Sequence, residues 1–152
     1  MALTFPDGQP FATGSQSNVY YEPTPDERKA RLILRVVIDG LETQAMVDTG
    51  GLYLFCHPTV CDQLELDEAE ALSTQTVIFR EERVRGALHR VSLTFLAEEG
   101  DDFTLQATAF VPEASYEGIP VLPSILGLQG CLDRLRFAFD PTTDTFYFGP
   151  PG

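Results

Sequence analysis

Residues 45–55 read AMVDTGGLYLF. An apolar run stops at Asp48, adds a hydroxyl at Thr49, spends two glycines at Gly50 and Gly51, and turns apolar again. Alone, Asp-Thr-Gly-Gly suits a surface turn, since Asp bonds its own backbone and Gly accepts positive φ. The flanks argue for something else. Upstream, RLILRVVID puts Leu32, Leu34, Val36 and Ile38 on one face and Ile33, Arg35 and Val37 on the other, the period of a strand covered on both sides or nearly so. Asp39-Gly40 then supplies the two positive-φ residues of a tight hairpin. The return strand, ETQAMV, runs straight to Asp48, so the carboxylate stands at a strand end.

Downstream, LYLFC is apolar, and Pro58 opens PTVCDQLEL as a short helix with Val60, Cys61 and Leu64 facing inward. TQTVIF (74–79), LHRVSLTFL (88–96) and FTLQATAFV (103–111) alternate as strands, separated by the charged EERVRG and the acidic turn EEGDD. PSILGLQG, a short helical CLDRL and a hairpin from RFAF through DPTTD to TFYF close the chain. Residues 1–30, rich in Pro, Gly, Ser and charge with little periodicity, read as an extended arm. Residues 31–149 read as one mainly β domain with one or two short helices.

Composition bounds the function. A chain of 152 residues is long enough for one core, burying about 70% of the surface its unfolded form exposes. Ten Lys plus Arg against 23 Asp plus Glu give a net charge of −13, which repels phosphates and anionic lipid; neither nucleic acid nor a membrane is an expected partner. The start MALTFPDGQPFATG lacks the features of a secretory signal, and no run approaches the ~20 apolar residues of a membrane span. The expectation is a cytoplasmic protein. Cys56, Cys61 and Cys131 are an odd number, expected as buried thiols and not as a disulfide framework. Cys56, His57 and Cys61, even with His89, do not follow a standard zinc spacing. Nothing in the sequence brings Cys131 to His89 as a nucleophile and base. No metal or cofactor is expected. The cluster Glu65, Asp67, Glu68 and Glu70 lacks the glycine turn and ligand order of an EF-hand and reads as solvated surface.

Together, the strand ending in Asp48-Thr49-Gly50, the hairpin before it, and the triplet Ile125-Leu126-Gly127 ahead of a short helix and terminal hairpin resemble the retropepsin-like aspartic proteases over roughly residues 31–149. The resemblance implies a closed β-barrel and an aspartic endopeptidase, in which two carboxylates sharing one proton activate a water molecule. It implies Asp48 as the catalytic group, Thr49, Gly50 and Gly51 as its loop, and Ile125, Leu126 and Gly127 as the packing beneath that loop. The chain carries one such motif only; the echo Asp144-Thr145-Phe146 lacks the glycine. A second Asp48 must then come from a second copy, so the expected partners are another copy of the chain, in a homodimer with its site on the two-fold axis, and a protein or peptide substrate.

In the resembling enzymes a hairpin flap covers a substrate that lies extended like an added strand. Here it falls at FREERVRG, residues 79–86, making Phe79, Arg80, Arg83, Arg85 and Gly86 candidate substrate contacts. The stretch is charged where retroviral relatives are rich in glycine. Its arginines suit recognition of an acidic segment, or equally the protection of a solvent-facing hairpin. Gly51 stands where Ala or Ser is commoner, and Leu54 where many active members have a small polar residue. The resemblance also implies the terminal segment TFYFGPPG as an interface strand, though an ordinary edge hairpin would have the same alternation. The alternative expectation is a peptide-binding or dimerisation module that keeps the fold and hydrolyses nothing.

Overall fold

The computed structural model describes residues 3–19, 31–79, 81–113 and 123–152. In chain order the elements are β1 (Gly14–Ser17), β2 (Ile33–Ile38), β3 (Leu41–Val47), β4 (Leu54–Phe55), α1 (Pro58–Leu64), β5 (Ser73–Phe79), β6 (Glu82–Phe95), β7 (Glu99–Gly100), β8 (Phe103–Pro112), β9 (Ser124–Leu126), β10 (Arg136–Asp140) and β11 (Thr145–Gly149). Single 3-10 turns occupy Glu68–Glu70 and Leu132–Arg134.

The ring that positions the site begins with the expected hairpin. β2 and β3 pair antiparallel through Ile38↔Leu41, and Asp39 and Gly40 have φ of 44° and 86°, as a two-residue turn of matching twist requires. From there hydrogen-bonded neighbours run β2-β3-β9-β4-β8-β6, and β6 returns to β2 through Val36↔Phe95 and Ile38↔Leu93. The result is a closed, six-stranded β-barrel. Its interior holds Leu34, Val36, Ile38, Leu54, Leu93, Phe95, Ala107, Ala109 and Leu126, nearly all without solvent contact. α1 packs Val60, with Cys61 and Leu64, against this core. Pro58 opens it, and the His57 side chain caps it by accepting from the Thr59 N–H at 3.2 Å.

Four departures from the sequence reading have physical causes. EERVRG does not separate two strands: β6 begins at Glu82 and pairs with β5 from Phe79↔Glu82 to Ser73↔Leu88. Arg83 and Arg85 lie on one face of the hairpin, while Val84, Gly86 and Leu88 are buried on the other. Within the stretch expected to be an arm, Gly14–Ser17 is a strand held between β11 and β7; residues 20–30 lie outside the described residues. LYLFC contributes only the two residues of β4. Finally, β11 is an inner strand of a second sheet, ordered β10-β11-β1-β7. Both of its edges are taken within the chain, so TFYF is not an interface strand.

The two sheets are joined by an amide. Gln16 on β1 is 1% exposed; its Nε2 donates to the carbonyls of Arg35 and Leu96, each at 2.9 Å, and its Oε1 accepts from the Arg35 N–H at 2.8 Å. Asn18 extends the seam, donating to Arg31 O and accepting from Ile33 N. Phe146 and Phe148 on β11 stack around Phe95 of the barrel. No helix among the described residues is long and apolar enough to cross a membrane.

Candidate active site

β3 ends at Val47, and the next peptide is pinned from below. The Asp48 N–H donates to Leu126 O at 3.0 Å, continuing the parallel pairing of β3 with β9. The chain then reverses: Gly51 N donates to Asp48 O at 3.0 Å, and Gly50 N donates to the Asp48 carboxylate, Oδ1, at 3.0 Å. Returning as β4, it pairs antiparallel with the other edge of β9, through Leu54↔Leu126 and Phe55↔Ile125. β9 thus lies between the strand that enters the Asp48 loop and the strand that leaves it.

The two loops also interlock beyond the strands. Leu128 N donates to Gly51 O, Gly127 N to Tyr53 O and Tyr53 N to Gln129 O, at 2.8–2.9 Å. Gly127 sits where they cross: a Cβ there would lie 2.5 Å from Tyr53 O and 2.7 Å from the carbonyl carbons of Gly51 and Leu52. No other residue fits without separating the loops. The preceding residues divide their labour by strand alternation. Leu126 enters the barrel core, while Ile125 joins a second apolar cluster of Tyr53, Phe55, Val77, Val84, Leu88 and Phe110. Gly51 is constrained more gently, with Asp48 O and the Gly127 Cα about one van der Waals contact away, at 3.3 and 3.5 Å.

Asp48, Thr49 and Gly50 are all exposed. Their loop opens on a depression of about 600 Å³, bordered by Arg31 and Leu32, by Met46 and Val47, and across from them by Phe139 on β10. Leu52 and Leu128, 49% and 42% exposed, flank the loop on its interlocked side. Leu54 is wholly buried. As a core residue between β8 and β9 it has no contact to offer a substrate, and the polar residue common at that position has no counterpart here.

The β5–β6 hairpin covers the second cluster. Phe79 stacks on Phe55 with centroids 4.6 Å apart, and Phe55 lies against Phe110 at 5.3 Å. The hairpin's two faces separate the residues grouped by sequence. Phe79 and Val77 face the cluster, while Arg83 and Arg85, opposite Ile78 and Thr76, lie on the outer face. Arg85 is paired there with Glu113 at 3.1 Å. Gly86 is buried at the base, where a Cβ would meet Val111 O at 2.4 Å and the Phe110 ring at 2.6 Å, so packing against β8 accounts for its glycine. Arg80 lies outside the described residues.

Two further residues escaped the sequence reading. Tyr53 adopts φ 60°, a conformation that costs a side chain about 1–2 kcal/mol, and its hydroxyl donates to Gln75 Oε1 at 2.9 Å. It therefore ties the Asp48 loop to the β5–β6 hairpin. A bulky aromatic two residues after a glycine pair could have signalled a forced backbone; Gln75 carried no signal. Among the described residues no three His, Cys, Asp or Glu side chains group as metal ligands. Cys56 and Cys131 are buried and Cys61 half-buried, with the Cys61 thiol donating to Cys56 O.

A barrel closed in this order around a strand threaded between two glycine-containing loops has a solved counterpart. The crystal structure of a retropepsin-like aspartic protease from Rickettsia conorii is similar over 89% of both chains, with a TM-score of 0.57 and 17% sequence identity. The fold is retropepsin-like. No protein-family model matches the sequence, and no curated protein does. At 17% identity the likeness between the two retropepsin-like chains is one of fold.

Proposed function

We propose that this chain is an aspartic endopeptidase that works as a homodimer, with Asp48 of each copy supplying one carboxylate. The observation that carries the reading is a single one. A carboxylate is held rigidly at the crossing of two interlocked loops, accepts a backbone N–H at 3.0 Å, and yet faces outward. The bond to Gly50 N–H is the ordinary turn bond of an aspartate, made also by Asp67 and Asp140; what supports the reading is that the Asp48 loop is also locked to the Gly127 loop while its carboxylate stays exposed, as a general acid/base that must meet a twin across an axis requires.

Two carboxylates about 3 Å apart repel by roughly 5 kcal/mol at an effective dielectric of about 20, so one keeps its proton near neutral pH. The ionised member takes a proton from water as that water attacks the scissile carbonyl. The protonated member donates to the carbonyl oxygen, and the proton taken up then passes to the leaving amine. The pair titrates as a unit. A peptide lying extended beneath the β5–β6 hairpin would present its carbonyl to this water. The reading calls for no metal or organic cofactor. Asp144 is no substitute for the second carboxylate, because it sits at φ 56° in the β10–β11 turn.

Asp48→Asn is the test. Against a peptide library, cleavage by the natural chain should follow a bell-shaped pH profile, and the variant should lose about a thousandfold or more of the rate with its fold intact by circular dichroism. Unchanged cleavage in the variant, or a natural chain that binds peptides and cuts none across the pH range, overturns the reading.

A further inference from the structure

β10 is an edge strand. Among the described residues its only sheet neighbour is β11, and it carries RFAFD, residues 136–140. That sequence is self-complementary. If a second copy of the strand is laid antiparallel beside it about Ala138, Arg136 of each copy falls opposite Asp140 of the other and Phe137 opposite Phe139, with the smallest side chain on the axis. Directly opposed residues of unlike charge and opposed aromatics are the pairs that stabilise a sheet, and this register supplies each of them twice.

The two charged groups are not paired with each other or with another charge among the described residues. Asp140 Oδ1 accepts the Thr142 N–H at 2.9 Å, and the half-buried Arg136 guanidinium lies over the Phe5 ring at 5.0 Å. Phe139, 36% exposed, is the residue of β10 that borders the depression into which Asp48 opens. Among the described residues the other outer strand of this sheet is β7, two residues long and exposed. Two residues are too few for a ladder that would hold two copies together.

We infer that β10 is the strand through which two copies join, by Arg136–Asp140 and Phe137–Phe139 pairs across a two-fold axis at Ala138, giving one eight-stranded sheet beside the paired Asp48 loops. The inference rests on the dimeric reading of the active site and adds the surface that makes it. It also assigns the occupant of this edge, which is a second copy of the chain.

Sedimentation over a concentration range tests it with four samples: the natural chain, Arg136→Asp, Asp140→Arg, and an equimolar mixture of the two variants. The natural chain should dimerise. Each variant alone sets like charges opposite each other twice and should raise the dimer dissociation constant by about tenfold or more. The mixture restores unlike pairs, so heterodimer and peptide cleavage should return together, which also shows that both variants are folded. A natural dimer unaltered by either substitution, or weakened by both but not recovered on mixing, overturns the β10 interface and leaves the shared-site reading standing. A natural chain that stays monomeric throughout overturns both.

Discussion

Gly127 shows how much of this site rests on one missing atom. With three backbone atoms of the facing loop within 2.7 Å of where a Cβ would be, Gly127→Ala must lift residues 51–53 away from 126–129. Overpacking of this kind costs about 1–3 kcal/mol. The expected result is a lower urea midpoint with unchanged slope, accompanied by a loss of peptide cleavage larger than the stability change explains, because the displaced loop carries Asp48. Gly50 provides an internal control. A Cβ there would meet only the Asp48 carboxylate, at 3.4 Å, so Gly50→Ala should leave stability within about 0.5 kcal/mol.

At the scale of elements, β1 is the least conspicuous strand in the sequence and among the most connected in the fold. Its residues are Gly, Ser, Gln and Ser, with no apolar alternation to mark it, because what it buries is an amide that completes the hydrogen bonding of β2 and of the residue after β6. Gln16→Ala would remove the partner of two half-buried carbonyls and one N–H, each worth about 1–3 kcal/mol when left unpaired, and should lower unfolding free energy by about 3 kcal/mol or more. Gln16→Leu, which restores volume but no hydrogen bonds, should rescue little of it in a urea titration. The same contrast explains what the sequence made legible. Strands β2, β3, β5 and β8 and the Asp39-Gly40 turn were visible because their signals are local: a period of two and a pair of residues suited to positive φ. The start of β6 was hidden by the charges on its outer face. The interlock of residues 48–53 with 126–129 joins segments far apart in the chain, so no window of sequence contains it; only the paired motifs hinted that the two loops meet. The outward placement of Arg83 and Arg85 followed from the register Val77↔Val84, which no composition could supply.

For the molecule as a whole, the buried thiols set the alkaline limit. Burial, and after it the nearby Asp133 carboxylate, pushes Cys131 from its ordinary 9.0 up to about 12. The neighbouring Cys61 thiol, and burial after it, push the Cys56 thiol up as well. Since the folded values lie above the unfolded ones, the unfolded chain loses these protons first. The stabilising contribution is complete below about pH 9 and disappears as pH rises toward 12. Thermal midpoints should therefore fall steadily over that window, and Cys131→Ala should flatten the slope even though it lowers stability at neutral pH. Alkylation with iodoacetamide at pH 7.5 should reach Cys61 well before the other two.

The pairing of Gly14–Ser17 with Phe148–Thr145 has a meaning in time as well as in space. In a chain growing from its N-terminus β1 is made more than a hundred residues before the strand that must lie beside it. Until then Gln16 has its barrel partners within reach but its own backbone only half paired, and β10 has no sheet to edge. Closing so long a loop is slow and comes late. A chain in which this loop has not yet closed therefore lacks a completed β10 edge, and the surface through which we infer that two copies meet forms only with the long-range pairing of β1 and β11.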